Sequence, residues 1–133
     1  MEYRLYHLVM YNLSPIQKGI QAGHSALEYA EKYTSTEEYR DFIENDKTWI
    51  ILDGGGSIEM KDNLEWLLDA KIRFSFFVEP DLNDAISAIT FLVPEKIYGA
   101  EVGLNDYVFY DQTILNQEEL EFYRWLKQFH LAR

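Results

Sequence analysis

Cysteine is absent, so the chain can form no disulfide, no thiolate nucleophile and no cysteine-ligated zinc or iron–sulfur site. Basic side chains are few: 12 stand against 23 acidic ones, for a net charge of −11, and they are scattered singly from Arg4 to Arg133. Such a field repels a phosphate backbone and counts against unaided nucleic-acid binding; its first service is solubility. No apolar run approaches the roughly 18 residues that a membrane span needs. The opening stretch MEYRLYHLVMYN is broken by Glu2, Arg4 and His7, unlike a secretory signal. A soluble, cytoplasmic protein with no membrane partner is expected. The three histidines, His7, His24 and His130, have no metal-ligand spacing, and neither metal nor cofactor is expected. Of the seven glycines, three stand together in DGGGS at 53–57. That stretch lacks the lysine and serine or threonine of a phosphate loop and reads as a flexible connection.

What is present is enough apolar material for a core, 47% of 133 residues, the size of one domain. Residues 3–10, YRLYHLVM, are aromatic and branched and end at the turn residues Asn12, Ser14 and Pro15, which predicts a strand. Residues 16–33 follow as a helix. At 100° per residue, Ile16, Gly19, Ile20, Gly23, Ala26, Leu27 and Ala30 share one arc, with Lys18, Gln21, Ser25, Glu28 and Lys32 opposite. The apolar arc is expected to face the sheet, its small residues permitting close approach.

A second helix is expected from Ser35 to about Asn45, opened by a hydroxyl cap and glutamates. TWIILD at 48–53 reads as a buried strand, KDNLEWLLDAK at 61–71 as a helix, and RFSFFVEP at 73–80 and AITFLVP at 88–94 as strands stopped by proline. The segment from Asn116 onward opens with a capping box to Glu119 and carries Lys127, His130 and Arg133 towards its end, as a last helix. The order β-α-α-β-α-β-β-α predicts an α/β fold: a small mixed four-stranded sheet with helices on both faces.

In IQAGHS, Gln21 and His24 keep the glutamine-to-histidine spacing of the first helix of the type 2 peptidyl-tRNA hydrolases, and the chain resembles that family over most of residues 3–93 plus the last helix. Gly19 and Ile20 stand where the family has two alanines. Glu79 and Asn83, in VEPDLN, stand where the third strand of the family ends in a functional aspartate followed four residues later by a threonine, and Thr90 falls near a second family threonine. The family's catalytic lysine falls on Gln17, with Lys18 the nearest cation, one position around the helix. The resemblance implies hydrolysis of the ester between peptide and tRNA, or of a related acyl ester, by a divergent member with Lys18 as the cation. Residues 94–116 form an aromatic-rich insertion beyond the family pattern, containing Tyr98, Tyr107, Phe109 and Tyr110. An extra strand, a lid and a partner-binding surface all fit its composition.

The residues themselves suggest a cleft edge. His24, Gln17, Glu28 and Gln21 fall at neighbouring angles beside the apolar arc. If the end of the strand at 73–79 reaches them, Glu79 can serve as a general base, His24 can assist it, and Gln17, Gln21 and Asn83 can bind carbonyl groups. The bland reading makes His24 a half-buried core edge and the glutamines good helix formers. EPDLND has the opening spacing of a calcium loop, but Asp84 occupies its glycine position and Thr90 its closing glutamate, so calcium is rejected. Two functions stay open: a hydrolase centred on Glu79, His24 and Lys18, with Gln17, Gln21, Asn83 and Thr90 around the substrate, or a non-catalytic acidic module. The latter would meet a protein partner, or its own copy as a homodimer, through the tyrosine-rich insertion.

Overall fold

Strand β1 (Tyr3–Met10) is the centre of the fold because its alternate residues are buried on both sides. In the computed structural model, which describes residues 1–133, β1 pairs in parallel with β2 (Trp49–Gly55) and antiparallel with β4 (Ala85–Pro94), and β4 pairs antiparallel with β3 (Phe74–Glu79). The mixed sheet has the order β2-β1-β4-β3. Strands β1, β2 and β3 therefore share a direction, and their carboxyl ends meet at one edge. Helices α1 (Pro15–Tyr33) and α2 (Glu37–Glu44) cover one face; α3 (Ser57–Asp69) and α5 (Gln117–Leu126) cover the other. No helix is long and apolar enough to cross a membrane.

The two faces differ in chemistry. Even-numbered β1 and odd-numbered β4 residues (Tyr6, Leu8, Met10, Ile89, Phe91, Val93) join Met60, Leu67, Phe122 and Trp125 in one large apolar core. On the α1 face, Leu5, Leu92, Ala26, Tyr29 and Phe42 form a small cluster, and Val9, Ala22 and Ala88 a smaller one. Between them lie buried polar residues: His7, Ser25, Ser75, Ser87 and Thr90. This face accepts a polar helix surface, and α1 is turned accordingly. Lys18, Gln21, Ala22, Ser25, Ala26 and Tyr29 are buried, whereas Ile16, Ile20 and Leu27 are exposed. The expected burial of the apolar arc is thus corrected: of that arc only Ala26 is fully buried, and nothing lies within 4 Å of a Cβ built on Gly19 or Gly23.

Three further expectations are revised. DGGGS is no flexible connection: Gly54 and Gly55 finish β2, and Gly56 caps α3, which begins at Ser57 rather than 61. Gly54 lies opposite a register shift between Val9 and Met10, where a Cβ would meet Met60 Sδ at 2.4 Å and Leu8 Cβ at 3.1 Å, and Gly55 has φ +90°. The last helix ends at Leu126, and residues 130–132 run antiparallel along the outer edge of β2, with Asp53 N–H donating to the His130 carbonyl at 2.8 Å and Ala132 N–H to that of Ile51 at 2.9 Å. That arrangement covers a sheet edge. The insertion forms α4 (Glu95–Tyr98) and a small sheet of β5 (Glu101–Val102), β6 (Val108–Tyr110) and β7 (Thr113–Ile114). It departs from Pro94, which pairs with Tyr3, so it sits at the sheet edge opposite the carboxyl ends of β1–β3 and forms no lid over them. Ile97, Val108 and Leu115 anchor it in the main core.

Candidate functional site

Ser14 sets the first turn of α1 at the carboxyl edge of the sheet: its hydroxyl accepts from Gln17 N–H at 3.2 Å, and Pro15 supplies a helical φ. From that start, residues 18, 21 and 25 descend on the sheet at helical spacing. Lys18 turns towards β2. Its ammonium lies 3.4 Å from Asp53 Oδ1 and donates to the backbone oxygen of Arg133 at 3.2 Å, with the side chain 7% exposed. Gln21 turns towards β3, where its Nε2–H donates to Glu79 Oε2 at 2.9 Å.

Gln21 is itself held. Between Phe77 and Val78 the β3–β4 register shifts, leaving Ser87 as an extra residue in β4. This bulge brings Ser87 to the α1 face next to Ala88, and its hydroxyl is shared between Gln21 Oε1 at 2.5 Å and the Phe77 carbonyl at 3.2 Å. The donors fix the amide: oxygen towards Ser87, nitrogen towards the carboxylate. The other carboxylate oxygen, Glu79 Oε1, accepts from Asp81 N–H at 3.4 Å in the turn that follows. Glu79 is half-buried, oriented from two sides, and retains lone pairs towards solvent. His24, one turn after Gln21, is exposed and stacks on Phe77, with ring centroids 4.5 Å apart and planes 19° apart. Phe77 and Glu79 alternate onto the same face of β3, so the His24 ring stands on the side of the strand that carries the carboxylate.

A second polar chain lies deeper. Thr90 Oγ1–H donates to Ser25 Oγ at 2.8 Å, so at the 2.8 Å contact between His7 Nδ1 and Thr90 Oγ1 the imidazole must be the donor. His7 Nε2 is left as a buried lone pair without a partner, beside Trp49 at 4.5 Å between ring centroids. Burial lowers the His7 pKa from its ordinary 6.5 to about 3, so the ring is neutral.

The structure therefore joins some of the sequence-derived candidates and separates others. Glu79 and Gln21 are in contact, and His24 is adjacent. Lys18 faces Asp53 instead; β1 and β4 stand between β2 and β3, so roughly 14 Å of sheet separates the two acidic residues. Thr90 is fully buried in the His7 chain. Gln17 is exposed on the first turn, and Asn83, at φ 55°, forms the exposed β3–β4 turn with Asp84. Asp53 and Ser87 carried no sequence signal of their own; only strand register and a bulge bring them to the helix. No cluster of metal-ligating side chains is present. Along this edge Asp53 and Glu59 lie at and after the end of β2 and Glu79, Asp81 and Asp84 at and after the end of β3, with Lys18 and Arg133 on the β2 side, while a cavity of about 600 Å³ opens at the opposite edge between α3 and α5.

No protein-family profile matches this chain, and no curated protein matches it in sequence.

Proposed function

We propose that the chain is an acyl-ester hydrolase of the kind represented by the type 2 peptidyl-tRNA hydrolases, acting in the cytoplasm with Glu79 as general base. The observation that carries this reading is the chain from Ser87 through Gln21 to Glu79, which orients a half-buried carboxylate at an open edge with its remaining lone pairs free. In the reaction a water gives its proton to Glu79 as its oxygen attacks the ester carbonyl. The tetrahedral intermediate then expels the alcohol, which takes that proton, leaving the free acid. His24 is placed to bind the acyl or leaving group. The acidic edge favours a neutral or cationic acyl ester over a tRNA ester, because Lys18, the only lysine descending from α1 onto the sheet, is already paired.

The test is hydrolysis of an uncharged N-acyl amino-acid ester and of a peptidyl-tRNA, side by side, by wild type, Glu79→Gln and Gln21→Ala. Loss of roughly 10²–10⁴ in kcat is expected for Glu79→Gln, a smaller loss for Gln21→Ala, and a preference for the uncharged ester. If folded wild-type protein cleaves neither substrate, the alternative stands: a non-catalytic acidic module of the same fold that binds a protein partner. One observation favours that second reading, the exposed apolar face of α1. In the insertion, Tyr98 lies under the Arg4 guanidinium at 4.0 Å and Tyr110 donates to the Glu95 carboxylate, whereas Val102, Leu104, Tyr107 and Ile114 are exposed and keep it available to the same reading.

A further inference from the structure

One polar atom beneath α1 has no partner. His7 is fully buried, its Nδ1–H is committed to Thr90 Oγ1 at 2.8 Å, and its Nε2 meets no donor of the chain. A buried acceptor left unpaired carries its full desolvation cost, so a donor brought to it from outside has an advantage that an exposed acceptor does not offer. The ring sets the side from which that donor comes. With Nδ1 turned to Thr90 on β4, Nε2 is turned to the β2 side, where the Trp49 indole lies against the imidazole. A trapped water needs roughly 2–4 polar partners. The neighbours of His7 on this side of the face, Leu5, Val9, Trp49 and Ile51, offer none but an indole N–H.

Trp49 is a partition between His7 and an apolar groove. Together with Leu5, Gly23, Ala26 and Phe42 it lines a groove of about 520 Å³ between α1, α2 and the start of β2. The partition is weakly held: Trp49 is 43% exposed, His7 is its one aromatic neighbour, and residues 130–132 cover the edge of β2 only from Ile51 onward. Nothing lies within 4 Å of a Cβ built on Gly23 across the groove, which is room for the indole to turn.

We propose that this groove binds a small neutral molecule with a flat apolar body and one O–H or N–H donor, which displaces the Trp49 indole and donates to His7 Nε2. The site selects that chemistry. A ring nitrogen without a proton accepts and cannot donate, so the ligand must bring the donor. Lys47 is the one formally charged side chain lining the groove, and exposed Glu44 and Asp46 stand beside it in the turn, so neither an anion nor a cation gains there what it loses in hydration against the apolar wall. The volume is that of a small-molecule site. The groove lies on the β2 side of α1, away from Glu79 on β3, and the inference stands whether or not Glu79 is a general base.

Phenol and anisole are the probes: phenol carries the donor, and anisole keeps the oxygen without it. Nitrogen-15 NMR of the full chain reads the His7 ring, and titration of the backbone amides gives both affinities. In the free protein Nε2 is expected to resonate as an unprotonated nitrogen that accepts no hydrogen bond. Saturating phenol is expected to shift it upfield, anisole to leave it in place, and the amides of Gly23 and Trp49 to move with both. In His7→Leu the ratio of phenol affinity to anisole affinity is expected to fall roughly 3–10-fold. An Nε2 already hydrogen-bonded in the free protein overturns the proposal, since it would mean a trapped water. So does an Nε2 that phenol leaves unmoved, or an affinity ratio unchanged in folded His7→Leu. If that variant does not fold, the response of the wild-type Nε2 to the two probes decides alone.

Discussion

Burial makes Lys18 dependent on two acceptors, Asp53 and the backbone oxygen of Arg133, whereas Asp53 remains 36% exposed and can be hydrated. Loss of the carboxylate and loss of the ammonium are therefore unequal. Asp53→Ala leaves the buried ammonium with the backbone oxygen of Arg133 as its one acceptor and is expected to cost about 2–4 kcal/mol, approaching the cost of breaking a buried pair. Lys18→Met leaves a carboxylate that water can reach and fills the same space with apolar atoms; it is expected to cost less than about 1 kcal/mol. Urea unfolding of the two variants and the double mutant measures the asymmetry, and equal costs would mean that Lys18 is well hydrated in solution. At this scale little was legible in the sequence. Gln21, His24 and Glu79 stood out by type and spacing, and Gln21 with Glu79 are in contact; but nothing in the one-dimensional pattern distinguishes a lysine that turns towards β2 from one that turns towards β3.

Elements were more legible than their orientation. The four long strands and the helices between them follow from runs of branched and aromatic residues, caps and prolines, and the order β-α-α-β-α-β-β-α holds. The rotation of α1 does not follow, because periodicity reports that a helix has two faces without saying what lies beneath. Here the sheet face is polar: His7, Ser75, Ser87 and Thr90 sit among its inward residues, and Ser25 and Gln21 bond to them. That signal was in the strands, as single polar residues inside apolar runs, but reading it requires register, including the Ser87 bulge. The glycines at 54–55 failed for a related reason. They are needed for close approach and positive φ at the end of β2 rather than for freedom of the chain. Gly54→Ala is accordingly expected to cost about 2 kcal/mol, since Met60 is fully buried and Leu8 Cβ is too close to yield. Thermal unfolding checks this; a change within experimental error would show that Met60 has an alternative rotamer.

For the molecule as a whole, charge and burial pull stability in opposite directions as pH falls. The chain carries −11 at neutral pH with a pI near 4.6, so acidification from pH 7 relieves self-repulsion and favours the folded state. His7 opposes this. Its pKa is about 3 when folded against an ordinary 6.5, so between those values the unfolded chain binds a proton that the native state refuses. Stability from this group is complete above pH 6.5 and is lost as pH falls, by up to about 1.4 kcal/mol per unit. Glu119, held below its ordinary value by Lys96, loses its contribution only below about 4.5, outside a window from pH 7 to 5. Salt separates the opposing effects because it screens surface charges and leaves a buried imidazole untouched. At low ionic strength and low protein concentration, urea midpoints are expected to change little across that window. In about 0.5 M NaCl they should fall steadily below pH 6.5, and His7→Gln, although less stable at pH 7, should abolish that slope. A slope of undiminished size in His7→Gln would assign the proton to another group and would mean that His7 takes up its proton without unfolding.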